Sequence, residues 1–282
     1  MELKGWKRGL AVCLIVLVLL GIAVTAVWRY QAYTKSRLIA GRGFVQIVCF
    51  GDSIWDICRD ETGIAALVEE KLEGQAKVYN LCIMGTTASE RTADMEDAEQ
   101  WNTKSMLSVI MAAMGDESAL PAQERERLQL GQTALKETDY FLLAFGLNDY
   151  YCAVPREGED PYDVYTYEGA LRTAVEMLQE HFPQAKVLIL SQTYCQGYSY
   201  GKVDTESDWK DWGGGTGPDY AASARKVAEE YGLIFVDNYN EMGINIHNGT
   251  KYLSDATHLT ERGRRKYADI LVKALLKDFG DN

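Results

Sequence analysis

Five short, largely apolar runs, each followed by residues at helical spacing, constrain this chain more than any other feature. The runs are Val45–Phe50, Lys77–Met84, Tyr140–Phe145, Lys186–Leu190 and Leu233–Val236. A strand with one face in water alternates apolar and polar residues, whereas a run that is apolar almost throughout is covered on both faces. After the first run, Ile57, Ile64, Leu67, Val68 and Leu72 recur at helical spacing. Strand and helix therefore alternate, which predicts a parallel sheet with helices on both sides. In such sheets the ligand site lies beyond the carboxyl ends of the strands. Polar clusters fall at those ends: Asp52 and Ser53 after the first strand, Gly85 after the second, Asn148 and Asp149 after the third.

The connecting segments differ in kind. Residues 87–138 are long, polar and helical in pattern, with Trp101, Met106, Leu107, Ile110, Met111 and Met114 on the apolar side. Ser118 and Pro121 open a further charged helix. A helix is expected at 167–181, and a loop rich in Tyr, Trp and Gly at 194–217. Another helix follows at 218–231, and an amphipathic helix from Thr260 closes the chain.

Outside this pattern stands the N-terminus. Lys4, Lys7 and Arg8 precede an apolar run, Leu10–Trp28, broken by Gly21 and Thr25. As a helix it would span roughly 28 Å, close to the hydrocarbon thickness of a bilayer. The length of the run, with Trp28 and Tyr30 as interfacial anchors, favours an uncleaved transmembrane helix. A signal peptide cleaved near Val24-Thr25-Ala26 is the competing reading. The expected organisation is an anchor at 1–28, a linker at 29–43 ending in Gly41-Arg42-Gly43, and one domain at 44–282 outside the cytoplasm. A net charge of −12 without basic runs in the domain argues against a nucleic-acid partner. Five cysteines beyond the N-terminus, irregularly spaced and without a CxxC pair, give neither a disulfide framework nor a zinc site. Cys49 and Cys82 read as small buried hydrophobes. A bridge between Cys152 and Cys195 is left open, since sequence does not fix the required Cα separation.

Taken singly, the polar clusters are weak signals. Gly51-Asp52-Ser53 is also what a capped strand-to-helix turn looks like, and no GxSxG elbow is present. Asp255-Ala256-Thr257-His258 could equally cap a helix, and Asn148 could sit in an ordinary turn. As an ordered set they carry more. Phe50-Gly51-Asp52-Ser53, Asn80 through Gly85, Gly146-Leu147-Asn148-Asp149 and Asp255 to His258 resemble, in order, the four blocks of the SGNH (GDSL-like) hydrolase family. The likeness spans nearly all of the chain beyond the N-terminus. It implies a flavodoxin-like three-layer α/β/α sandwich with a five-stranded parallel sheet. Ile54 stands where the family commonly has leucine, and Leu259 where proline often follows the histidine. Neither position carries a reacting group.

The chemistry implied is that of a serine ester hydrolase. A serine hydroxyl is a poor nucleophile until a neighbouring base takes its proton. His258 would be that base, and Asp255 would orient it. Of the three histidines, His181 lies by a helix end and His247 in a polar loop; only His258 has an acidic residue at triad spacing. Ser53 N–H, Gly85 N–H and the Asn148 amide would form the oxyanion hole. An acyl-enzyme on Ser53 needs neither metal nor organic cofactor. Aromatic residues near the same edge, among them Trp55, Tyr150 and Tyr194, are candidate substrate-binding residues, though they could as well be core or loop-ordering residues. With an external location, they suggest deacetylation of a cell-envelope or extracellular glycan. A lipid-directed esterase, an O-acyltransferase and a glycan-binding module on the same fold are the alternatives.

Overall fold

The computed structural model describes residues 43–90, 104–132, 135–199 and 202–281. Residues Phe44–Ala274 group as one compact unit. Its centre is a sheet of five strands, β1 (Val45–Gly51), β2 (Ala76–Asn80), β3 (Tyr140–Ala144), β4 (Lys186–Leu190) and β7 (Ile234–Val236). Their order is β2-β1-β3-β4-β7, and every pairing is parallel. The central strands earn their places by composition: Ile47, Val48, Cys49 and Phe50 on β1 and Phe141, Leu142 and Leu143 on β3 are fully buried.

Strand order fixes the layers. The step from β1 to β2 runs one way along the sheet, while the steps to β3, β4 and β7 run the other. Right-handed crossovers then put α2 (Ile64–Lys71) on one face and α3 (Met106–Ala113), α6 (Tyr167–His181) and α7 (Gly217–Glu230) on the opposite face. The closing helix α10 (Glu261–Asp281) joins the α2 side: Lys71 Nζ meets Asp269 Oδ1 at 2.6 Å, and Arg264 Nε donates to the Thr62 carbonyl at 2.7 Å. On the other face α3 packs against α6 and α6 against α7. Helix starts follow the expected chemistry. Thr166 caps α6 by accepting from Gly169 N, and Thr216 with Asp219 forms a reciprocal capping box at α7, whose first turn holds Pro218. The remaining helices are the short α1 (Ser53–Asp56), α4 (Ala122–Gln132), α5 (Leu147–Tyr151), α8 (Asn238–Glu241) and α9 (Gly249–Tyr252).

The sheet matches the expectation, and several boundaries do not. The helix expected through Ile57 is split: α1 stops at Asp56, α2 starts at Ile64, and Ile57 is 47 % exposed rather than core. Strand β2 ends at Asn80, because that side chain turns the chain. Its Oδ1 accepts from Cys82 N at 3.1 Å and its Nδ2 donates to the Trp55 carbonyl at 2.9 Å. The expected loop at 194–217 contains an antiparallel hairpin, β5 (Gln196–Ser199) with β6 (Lys202–Glu206). The Leu10–Trp28 segment lies outside the described residues, and among those described no helix is long and apolar enough to cross a membrane. Trp101 also lies outside them. Cys195 forms no disulfide, so the Cys152–Cys195 bridge is not made, and Cys49, Cys58 and Cys82 are likewise free thiols. Burial pushes the Cys195 thiol up to about 11, which keeps it protonated and unreactive.

Candidate active site

At the carboxyl end of β1 the chain enters α1 through Asp52, whose Oδ1 accepts from Ile54 N at 2.9 Å. That cap places Ser53 as the first residue of the helix. Asp255 and His258 come from the loop between α9 and α10, which is a turn and not a helix. Asp255 Oδ1 accepts from the backbone of both Thr257 and His258 at 2.7 Å, folding the loop around its own carboxylate. The other oxygen, Oδ2, lies 2.8 Å from His258 Nδ1, and His258 Nε2 lies 3.0 Å from Ser53 Oγ. Thus the structure brings Ser53, His258 and Asp255 into one hydrogen-bonded line across 205 residues of sequence.

Electrostatics fix the proton positions along that line. Burial raises the Asp255 carboxyl, but the hydrogen bonds from the His258 ring and from the His258 and Thr257 backbone outweigh it and hold the group below its usual range. An ionised carboxylate only accepts, so Nδ1 carries the ring proton and Nε2 presents its lone pair to the serine hydroxyl. Ser53 Oγ–H therefore donates to Nε2, the arrangement that a proton transfer from serine requires.

Gly85 and Asn148 are positioned by two brackets. In the first, Asp56 accepts from Met84 N at 2.8 Å through Oδ2 and from Arg59 Nε at 2.7 Å through Oδ1. The Arg59 guanidinium also donates to the Asn80 and Cys82 carbonyls at 2.9 and 2.6 Å. The second comes from α5. Gly146 precedes it at φ +125°, where a Cβ would lie 2.7 Å from the Tyr167 hydroxyl, so only glycine fits. Asn148 Nδ2 then donates to the Thr86 carbonyl at 2.9 Å. Asp149, wholly buried, accepts from Ala88 N, Ser89 N and Ser89 Oγ at 2.8, 3.0 and 2.9 Å. Gly85, at φ +79°, sits between Met84 and Thr86, so its backbone is held from both sides. Among the described residues neither the Ser53 nor the Gly85 N–H has an acceptor, and Asn148 has one amide hydrogen to spare. Such a trio of donors can receive an oxyanion.

The aromatic candidates divide differently from the expectation. Trp55 is 0 % exposed and its indole donates to Tyr267 Oη at 3.1 Å, so it is a core residue with no face for a substrate. Tyr194 is 1 % exposed and spends its hydroxyl on Glu206 Oε2 at 2.7 Å; it too is corrected from a binding residue to a supporting one. Tyr150 is also nearly covered, but its ring lines a cavity together with Tyr151. Sequence reasoning missed the Asp56–Arg59 bracket, whose only signal is an acid and a base three residues apart. Asp149 was visible as a member of its block, without its role. A larger cavity of about 600 Å³ lies at the opposite edge, between the end of α3, Leu135–Lys136 and His181–Phe182, away from these groups. Among the described residues no cluster of three or more His, Cys, Asp or Glu could hold a metal ion.

The sequence from residue 49 to 266 matches the model of the GDSL-like lipase/acylhydrolase family. The chain belongs to that family. It is accordingly a carboxylic ester hydrolase by family. No curated protein sequence matches it significantly. Solved structures share the fold at low identity. A protein from Lactobacillus plantarum superposes with a TM-score of 0.59 at 21 % identity, covering 84 % of this chain and 98 % of its own. A chain described as a possible lipase from Chitinophaga pinensis gives 0.57 at 16 %, covering 84 % and 99 %. The acetyl xylan esterase AlAXEase gives 0.54 at 18 %, covering 82 % and 100 %.

Proposed function

We propose that this GDSL-family hydrolase is a serine esterase that removes acetyl groups from a glycan of the cell envelope or extracellular space. The observation that carries the catalytic part is the continuous line from Asp255 through His258 to Ser53, with contacts of 2.8 and 3.0 Å. Ser53 Oγ attacks the ester carbonyl carbon while His258 Nε2 takes its proton. The tetrahedral oxyanion lies against Ser53 N–H, Gly85 N–H and the free amide hydrogen of Asn148. Asp255 stabilises the imidazolium. His258 then protonates the leaving alcohol, the C–O bond breaks, and the acetyl group stays on Ser53. Water attacks this acyl-enzyme with His258 again as base, releasing acetate and restoring the serine. Positioned proton transfer of this kind contributes about 10²–10⁴-fold.

The glycan part rests on three supports. Exposed aromatic side chains surround the hairpin beside the triad loop, and such faces stack on sugar rings. A structural relative bears the name acetyl xylan esterase. The Leu10–Trp28 segment reads as a single-pass anchor that holds the domain at the membrane, facing outward. The test is acetate release from a panel of acetylated glycans, set beside aryl esters of increasing acyl length. Sharp preference for acetyl together with turnover of a glycan supports the proposal. Rising activity with acyl chain length would instead make the protein a lipid-directed esterase, and acetyl transfer to added sugar in place of hydrolysis would make it an acyltransferase.

A further inference from the structure

Beside the triad loop lies a cavity of about 310 Å³, at the lower end of the range for small-molecule sites. Its walls come from the β5–β6 hairpin and the residues flanking it, from Trp212 in the segment that follows, and from the α5 segment that also carries Asn148. Ala256, between Asp255 and His258, closes one side. Its walls are tied to the loop that carries Asp255 and His258. Gln196 N, on the hairpin, donates to the Ala256 carbonyl at 2.9 Å, and Tyr151 Oη shares a hydrogen bond of 2.9 Å with Thr257 Oγ1.

Three properties describe what would bind there. First, the rings are available: Tyr198 is 42 % and Trp212 45 % exposed, although both line the cavity. Second, the polar groups are acceptors. Asp204 has no hydrogen-bond partner among the described residues, and Glu206 is steadied by Tyr194 Oη and Trp209 Nε1 at 2.7 and 3.1 Å. Third, no lining residue is positively charged; the nearby Lys210 ammonium lies over the Trp212 ring, 4.2 Å from its centre. Flat apolar faces with carboxylate acceptors suit a ring that bears hydroxyl groups. The same carboxylates repel a uronate, a phosphate or a sulfate.

We infer that this cavity is a subsite for an uncharged sugar ring of the substrate, adjacent to the ring whose ester is cleaved, and that it selects against anionic glycans. The inference rests on the glycan-ester reading above. Tyr198 and Trp212 supply the stacking faces, while Asp204 accepts from the ring hydroxyls and the buried Gln196 steadies the Tyr198 hydroxyl.

The test uses the full chain and four substrates: phenyl acetate, acetylated xylobiose, an acetylated uronate disaccharide and acetylcholine. Trp212→Ala and Tyr198→Ala should each lower the ratio of kcat/KM on acetylated xylobiose to that on phenyl acetate by at least tenfold, chiefly through KM. Tyr198→Phe, which keeps the ring, should retain most of the ratio, and wild type should turn over the uronate at least tenfold less efficiently than xylobiose. An unchanged ratio in both alanine variants overturns the subsite while leaving the glycan esterase standing. Preference for acetylcholine over xylobiose, lost in the same variants, overturns the sugar in favour of a cation bound by the aromatic faces. If wild type cleaves phenyl acetate but neither disaccharide, the glycan reading fails first and the subsite falls with it.

Discussion

A single amide separates stabilising the oxyanion from merely closing a turn. Asn148 uses one hydrogen on the Thr86 carbonyl, so the side chain is already aimed before any substrate arrives. Removing one such donor typically costs about 10²–10³-fold in kcat. Asn148→Ala should show that loss in steady-state kinetics on an aryl acetate with KM little changed, and a kcat within twofold of wild type would remove Asn148 from the hole. Asp52 makes a different prediction. Burial pushes its carboxyl up to about 7; the Ile54 N–H and His258 pull it down, and Asp149 adds to the rise. In the unfolded chain the group ionises near 3.8. Below that pH both states hold the proton. Between about 4 and about 7 the unfolded state has lost it while the folded state keeps it, so stability falls as pH rises and levels off above the folded value. Asp52→Asn retains the cap and removes the titration. Its melting temperature relative to wild type should therefore climb from pH 5 to pH 8; a constant difference over that range contradicts the assignment.

At the scale of elements, the catalytic groups are held by brackets that join neighbouring loops. Arg59 reaches from the end of α1 to the Asn80 and Cys82 carbonyls and to Asp56, which in turn holds Met84 N beside Gly85. Its own side chain is 38 % exposed, but that of Asp56 is 2 %, so removing the guanidinium takes the cation from a buried carboxylate and costs stability as well. Positioning is another matter, because displacement of a donor by about 1 Å can cost up to 10²-fold. Arg59→Ala should lower kcat by roughly tenfold or more and lower the melting temperature too, whereas Arg59→Lys, which keeps a cation beside Asp56, should recover melting temperature better than kcat, since one ammonium cannot replace the planar fork. Equal kcat in wild type and Arg59→Ala would show that the bracket is ornamental to catalysis. These elements also show where the sequence was legible. Strands apolar on both sides and helices with apolar residues at helical spacing stood out. The break after Asp56 did not, because Ile57 continues the apolar spacing and only the tertiary structure leaves it in solvent. The β5–β6 hairpin was hidden for a related reason: its strands are short and half-exposed, and Gly197 and Tyr198 in the first of them read as loop.

On the scale of the whole molecule, the first strand turn and the last helix meet in the core. Trp55 donates its indole N–H to Tyr267 Oη across 212 residues, with the rings at right angles and 5.9 Å apart. Tyr267→Phe keeps the packing and strands the indole N–H in a dry site, which should cost about 1–3 kcal/mol in urea unfolding. A smaller loss would mean that water reaches the indole. The same pairing explains why sequence left Trp55 open between pocket and core: adjacency to Ser53 along the chain says nothing about which way a ring points once a helix 212 residues away covers it. The first three motif blocks, by contrast, were readable because each follows a strand, and a parallel sheet sends those ends to one edge, while Asp255 to His258 reach Ser53 from the loop between α9 and α10. The brackets that hold them depend on partners brought together only by folding. The central claim is that Ser53 is a nucleophile activated by His258. It is tested most directly by treating the full chain with a fluorophosphonate probe and locating the adduct by peptide mass spectrometry. The account predicts one adduct, on Ser53, absent in Ser53→Ala and strongly slowed in His258→Ala. Labelling of another residue, or of Ser53 at the same rate without His258, would contradict it.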